Sequence, residues 1–247
     1  MEILTFGAGG RLAECERVLS SRLSGLSGRL FLLPIPTSRD KKYITDTTLT
    51  VDELCSALRQ GDYLVGYELP PAILLRAESL GIPIYDAAGD ERLLSANAAL
   101  TARGTLGYLL SHTDRDVAEL SFGIVGYGRI GRRLANLLLL LGAELTVYTG
   151  RESVARELGE VGVSAEIVGE GCSTDGLDIL INTSPTRQIE ESDLPQDTRI
   201  VDLASGRVYP PSDRLTKLPS VPERMFPVTA GRLYAEGVLR ALFGDLL

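Results

Sequence analysis

The chain has 247 residues, with 33 acidic side chains against 25 lysines and arginines, a formal net charge of −8. That is enough chain for one or two domains with a real core, and its acidic balance argues against nucleic acid or a membrane surface as partner, because phosphates repel it. One histidine, three widely separated cysteines and no tryptophan argue against a His-based metal site and against a disulfide framework, so no metal is expected and the cytoplasm is the expected compartment.

No apolar run reaches the roughly 18–20 residues of a membrane span. The opening MEILTFGAGG reads as a strand and a turn, not a signal peptide. Ile3 to Phe6 is the predicted strand and Gly7-Ala8-Gly9-Gly10 the turn. A helix follows from Arg11 to Leu23, with Leu12, Val18, Leu19 and Leu23 apolar and Gly25 just past its end. The glycines resemble half a phosphate loop, but Leu12 stands where a third glycine is needed. They read as a packing turn whose N–H groups could alternatively hold an anionic substrate group.

Arg29 to Leu33 is a second strand, ended by Pro34 and Pro36. Thr37 to Thr50 is polar and threonine-rich, a surface loop. Val51 to Leu58 is a short helix with acid in its first turn. Tyr63 to Gly66 is a strand, Ala72 to Leu80 a helix opened by Pro70-Pro71 and stopped by Gly81, and Ile82 to Tyr85 a fourth strand. These residues form a small β/α layer structure on a parallel sheet. Glu91 to Ser111 is a long connecting helix, interrupted by Gly104 and Gly107, with His112-Thr113-Asp114 capping its end.

The most informative stretch comes next. Phe122 to Val125 is an apolar run short enough for a buried strand, followed by Gly126, Gly128 and Gly131 in G-x-G-x-x-G spacing and an apolar helix. Gly126 turns the chain out of the strand, Gly128 lets a pyrophosphate reach the backbone, and Gly131 lets helix and strand pack closely. The helix N-terminus then faces the phosphates. The spacing alone is weak; its place between a strand and a helix is the context a dinucleotide site requires.

Further strands are predicted at Glu144 to Thr149, Ala165 to Val168, Asp178 to Asn182 and Arg199 to Leu203, with a helix at Arg151 to Leu158. This is a doubly wound nucleotide-binding domain. Leu215 to Phe226 is proline-rich and reads as irregular, and Thr229 to Phe243 as a final helix packing back on the first domain. The expected fold class is thus α/β: two Rossmann-like doubly wound parallel-sheet domains joined by a long helix, the C-terminal helix returning to the first. The expected domains are 1–95 with 229–247 for substrate, and 96–228 for connector helix and NADP.

An NAD site expects a carboxylate at the end of the second strand, about 20 residues past the glycines. Here Tyr148-Thr149-Gly150-Arg151 stands there, with Ser153 close by. Arg151, Thr149 and Ser153 suit a 2′-phosphate, so NADP is favoured over NAD. Asn182-Thr183-Ser184-Pro185 and Asp202-Leu203-Ala204-Ser205-Gly206 end two later strands and would line the nicotinamide end, ordinary turn chemistry being the alternative for any single residue.

From about Ile82 to the end the motifs resemble the dipicolinate synthase A family of spore-forming bacteria. They are NAALTARGTLGYLLSHTD (Asn97 to Asp114), FGIVGYGRIG, DILINTSP (Asp178 to Pro185), RIVDLAS (Arg199 to Ser205) and PSVPERMFPVTAG (Pro219 to Gly231). GYGRIG and INTSP alone are also similar to 2-hydroxyacid and shikimate dehydrogenases. The resemblance implies two domains with a cleft, NADP as hydride acceptor, and oxidation of a dihydrodipicolinate-type cyclic dicarboxylate to pyridine-2,6-dicarboxylate. The synthase's flavoprotein-like second subunit would be the partner, and a homo-oligomer is expected. On this reading Gly126, Tyr127, Gly128, Arg129 and Ile130 hold the pyrophosphate. Asn182, Thr183, Ser184, Leu203, Ala204 and Ser205 flank the nicotinamide. Asn97, Thr101 and His112 lie near the cleft.

The chain departs from the family pattern at several positions. Arg103 stands where an acid is usual, Ser220 and Glu223 where glycines are, and Val228 where a lysine is. Gly206-Arg207-Val208-Tyr209 replaces a Pro-Gly-Gly-like run. Arg11 and Arg103 are the candidate partners of a dicarboxylate. His112, Asp202 or a water would be the base, and a helix C-cap is the alternative role for His112. A standard 2-hydroxyacid dehydrogenase is disfavoured, because no histidine follows His112. Two other functions remain open: a non-catalytic nucleotide-binding partner protein, and an NADP-dependent dehydrogenase of another small carboxylic acid.

Overall fold

The computed structural model describes residues 1–169, 172–206 and 208–244. The chain divides into two compact units, Met1–Asn97 with Phe226–Leu247, and Ala98–Met225. Both are α/β, each built on a wholly parallel sheet.

In the first unit the sheet runs β1 (Glu2–Thr5), β2 (Arg29–Leu32), β3 (Tyr63–Gly66), β4 (Ile84–Asp86), in that order. Alternation along β2 shows how it is covered. Leu30 and Leu32 pack with Leu12, Cys15 and Leu19 of α1 (Gly10–Arg22) and with α8 (Pro227–Phe243). Phe31 and the following Leu33 point the other way, toward α2 (Val51–Ala57) and α3 (Pro71–Ser79). A capping box starts α2: the Thr50 hydroxyl accepts from Glu53 N–H and the Glu53 carboxylate accepts from Thr50 N–H.

The C-terminal helix returns to this unit as the sequence implies. At Gly231 it packs closely on α1; a Cβ there would lie 2.6 Å from the Arg11 carbonyl and 2.7 Å from Glu14 Cβ. Around it Glu14 bridges Arg17 and Arg232, and these two guanidiniums, Arg17 first, hold its carboxyl at about 2. The fully buried Tyr234 donates to the Leu33 carbonyl at 3.4 Å.

The second unit has the six-stranded order β10 (Leu215–Lys217), β9 (Arg199–Asp202), β8 (Ile179–Asn182), β5 (Ser121–Val125), β6 (Glu144–Thr149), β7 (Ser164–Ile167). Counted from β5, this is the 3-2-1-4-5-6 order of a doubly wound dinucleotide-binding sheet. One face is covered by α5 (Arg129–Leu140), α6 (Glu152–Glu160) and the second half of α4 (Glu91–Ser111). The other face buries Val125, Leu180 and Ile200 under Ile189, Leu194, Val208 and Tyr209, which lie in connections without α-helices.

Three elements differ from expectation. Gly104 and Gly107 do not interrupt α4, which is continuous; Gly104 is buried, and tertiary context overrides the low helix propensity of glycine. Leu215 to Phe226 is not irregular: it holds β10 and α7 (Val221–Met225). Ladder bonds to β9 outweigh its composition, and Pro222 sits at the second position of α7, where a missing N–H costs little. The last helix starts two residues early, at Pro227, for the same reason. Among the described residues no helix is long and apolar enough to cross a membrane.

Ser220, just before α7, has φ 53°. A side chain is strained there, and glycine is not. Ser220→Gly is therefore expected to stabilise the chain by about 1 kcal/mol and raise the Tm by about 2–4 °C. A thermal melt checks this; an unchanged or lower Tm contradicts the strain.

Candidate functional site

Strand order reverses between β5 and β8, and in such sheets ligands bind at the carboxyl ends beside the reversal. The glycine-rich turn lies there. Gly126 follows β5 at φ 88°, bonded through its N–H to the Tyr148 carbonyl at 2.8 Å. The first turn of α5 packs on it so closely that a Cβ on Gly131 would sit 2.2 Å from the Gly126 oxygen. Gly128 is the N-cap of α5 and brings no side chain to cap it, and among the described residues nothing lies within 4 Å of where its Cβ would be. An uncapped helix N-terminus beside an open backbone fits a pyrophosphate. Gly128 and Arg129 are exposed, while Tyr127 and Ile130 are half-buried and pack on the core.

The next strand end braces this turn. The Thr183 hydroxyl is 2.9 Å from the Val125 carbonyl and 3.1 Å from that of Gly126. Asn182 is fully buried: its amide donates to the Ser184 carbonyl at 3.0 Å and to Asp202 at 2.8 Å, and its oxygen accepts from Ser184 N–H. The Ser184 hydroxyl accepts from Gln188 at 3.0 Å. Asn182, Thr183 and Ser184 thus brace the loop from within. Their side chains hold the loop together, so what the loop offers a ligand is its shape and backbone.

Asp202 ends the next strand. It is fully buried, and its carboxylate accepts from Asn182, from Ala204 N–H at 3.0 Å and from Lys217 Nζ at 2.8 Å. A carboxylate so buried is satisfied by these three partners. After it Leu203 and Ala204 are buried in opposite cores and Ser205 is exposed. Arg207 lies outside the described residues. Tyr209 donates to the Ile189 carbonyl at 3.0 Å. Burial, with the Asp202 carboxylate second, pushes its phenol up to about 12, so it remains a neutral donor.

At the end of β6, Thr149 is buried and its hydroxyl accepts from Arg151 N–H at 3.2 Å. It caps a turn through that bond. Arg151 and Ser153 are exposed. Arg151 leans back over the glycine turn, donating to the Tyr127 carbonyl at 3.3 Å. Arg132 lies on the Tyr127 ring, 4.8 Å from its centroid, and pairs with Glu157 at 3.3 Å. Two cationic side chains therefore flank Tyr127 in a chain that is acidic overall.

His112 lies at the end of the sheet away from the glycine turn. Its carbonyl accepts from Arg199, at the start of β9, at 2.6 Å. The loops after β5, β6, β8 and β9 lie at the other end of the sheet, a strand length of about 10–13 Å away. The exposed ring stacks on Tyr108 at 4.0 Å, with Nδ1 donating to the Tyr108 carbonyl at 2.8 Å. The helix C-cap is what the structure supports.

Of the substrate candidates, Arg11 and Asn97 belong to the first unit, Thr101 and Arg103 to the second. Arg11 and Thr101 are buried, Asn97 is half-buried and Arg103 is exposed. The N-terminal glycine turn is a packing turn: a Cβ on Gly10 would meet Pro227 Cβ at 2.7 Å, and one on Gly7 would meet Pro34 and the Thr45 carbonyl. Sequence reasoning missed Lys217, which stands in a segment read as irregular, and Arg132, whose position relative to Tyr127 depends on the helix being formed.

Comparison with solved structures places the fold. Dipicolinate synthase A from Bacillus halodurans superposes with a TM-score of 0.78 at 19% identity, over 98% of this chain and 97% of that one. Its counterpart from Bacillus subtilis gives 0.76 at 19%, over 99% and 96%. A transhydrogenase from Sinorhizobium meliloti gives 0.62 at 13%, over 99% and 92%. At these identities the likeness is one of fold, over nearly the full length of each chain. No family model and no curated protein sequence matches.

Proposed function

We propose that this chain is a pyridine-dinucleotide oxidoreductase, a divergent relative of dipicolinate synthase A. It takes NADP and a small cyclic dicarboxylate of the dihydrodipicolinate type. The observation that carries this reading is the G-x-G-x-x-G turn at the strand reversal, with an uncapped helix behind it. The full-length fold match supports the same reading.

Bound NADP would supply the hydride acceptor. Gly126, Gly128 and the start of α5 would hold its pyrophosphate, and Arg151 with Ser153 its 2′-phosphate. The loops after Asn182 and Asp202 would frame the nicotinamide. With His112 at the opposite edge and Asp202 in an ion pair, water takes the ring proton, and aromatisation drives its loss. This reading includes a homo-oligomeric state and a flavoprotein-like second subunit.

Fluorescence titration with NADPH and NADH tests it. NADPH is expected to bind more tightly. Arg151→Ala should weaken NADPH about tenfold or more, the worth of a charge-assisted bond, and leave NADH nearly unchanged. Tighter binding of NADH to the wild type would sink the 2′-phosphate assignment.

The position of His112 and the pairing of Asp202 favour a second reading, a nucleotide-binding partner that has lost catalysis. Ultraviolet detection of pyridine-dicarboxylate formation, with a candidate flavoprotein-like partner present, separates the two.

A further inference from the structure

Asn182, Asp202 and Lys217 end three neighbouring strands and are register partners: Asn182 pairs with Asp202, and Asp202 with Lys217. In a parallel sheet, register partners direct their side chains to the same face. The three side chains accordingly form one hydrogen-bonded row across β8, β9 and β10, with the carboxylate in the middle. Lys217 Nζ makes a second bond, to the Gly206 carbonyl. It therefore holds both ends of the turn after β9, the carboxylate that opens it and the carbonyl four residues on. Ala204 N–H, bonded to the same carboxylate, fixes the middle.

We propose that Lys217 is a positioning residue: acting through Asp202 and Gly206, it sets the Leu203–Gly206 turn that frames the nicotinamide end of the dinucleotide. This rests on the dinucleotide reading above. The row reaches the glycine turn only indirectly, through Asn182 and its neighbour Thr183. Losing Lys217 should therefore loosen the nicotinamide end while the pyrophosphate and adenosine ends keep their partners.

The test compares NADPH with 2′-phospho-ADP-ribose, which lacks the nicotinamide, on the full chain. Lys217→Met is expected to weaken NADPH about tenfold, the worth of one bond to a charged group, and to leave 2′-phospho-ADP-ribose within about twofold. Lys217→Arg should restore most of the NADPH affinity. If Lys217→Met does not fold, the double variant Asp202→Asn, Lys217→Met is read in its place. It leaves no buried charge, and the same split is expected. Equal weakening of both ligands, or no weakening of either, overturns the positioning role alone. Wild-type protein that binds neither ligand overturns the dinucleotide reading and this assignment with it.

Discussion

Gly131→Ala is expected to lower NADPH affinity more than about 100-fold, because the donors of the α5 N-terminus can no longer face the pyrophosphate. The added methyl would sit 2.2 Å from the Gly126 carbonyl oxygen and 3.1 Å from the Thr183 hydroxyl. The nearer obstacle is backbone, so no rotamer change relieves it. Helix and turn must separate, at about 1–3 kcal/mol of stability, as for other overpacked sites. Gly128→Ala provides the contrast. Nothing lies within 4 Å of its Cβ and its φ is −87°. The Tm should stay unchanged while NADPH binding falls, since that open space is where the pyrophosphate approaches. Titration and thermal melts on both variants check this. Wild-type affinity in Gly128→Ala would displace the pyrophosphate from the turn.

The second large effect belongs to the returning helix. Gly231→Val is expected to destabilise the first unit by about 3 kcal/mol or more, combining overpacking with a forced helix separation. Its Cβ would lie 2.6 Å from the Arg11 carbonyl, 2.7 Å from Glu14 Cβ and 3.1 Å from Cys15 nitrogen. Moving α8 away from α1 also uncovers Tyr234, Ala235 and Val238, all buried against Leu12, Cys15 and Leu19. Denaturant unfolding measures the loss, and hydrogen exchange locates it. Amides of α1 and α8 should lose protection before those of β5 and β6. A change below about 0.5 kcal/mol, typical of surface sites, would contradict this close packing.

Gly131 and Gly231 show how far the sequence could be read. The first stands in a spacing with a known physical reason, and strand, turn and helix fell where that reason puts them. The second was legible only as the end of a motif; its contact with α1 joins residues more than 200 apart. Apolar runs and turn residues likewise marked every strand but β10. That strand's three residues, Leu215-Thr216-Lys217, carry no periodicity to read, and only pairing with β9 makes them a strand.

Local pattern by itself therefore determined the α/β class, the glycine turn and the lack of a carboxylate at the end of β6. These depend on backbone preferences and on neighbours a few residues away. Tertiary structure decided what the polar residues do. His112 and Asp202 both stood among the candidate bases, yet one lies at the far end of the sheet and the other is buried in an ion pair with Lys217. Asn182, Thr183 and Ser184 looked like ligand contacts and became braces. A polar side chain's role depends on which partners reach it and whether water does, and both follow from strand order and register, which chain order does not specify.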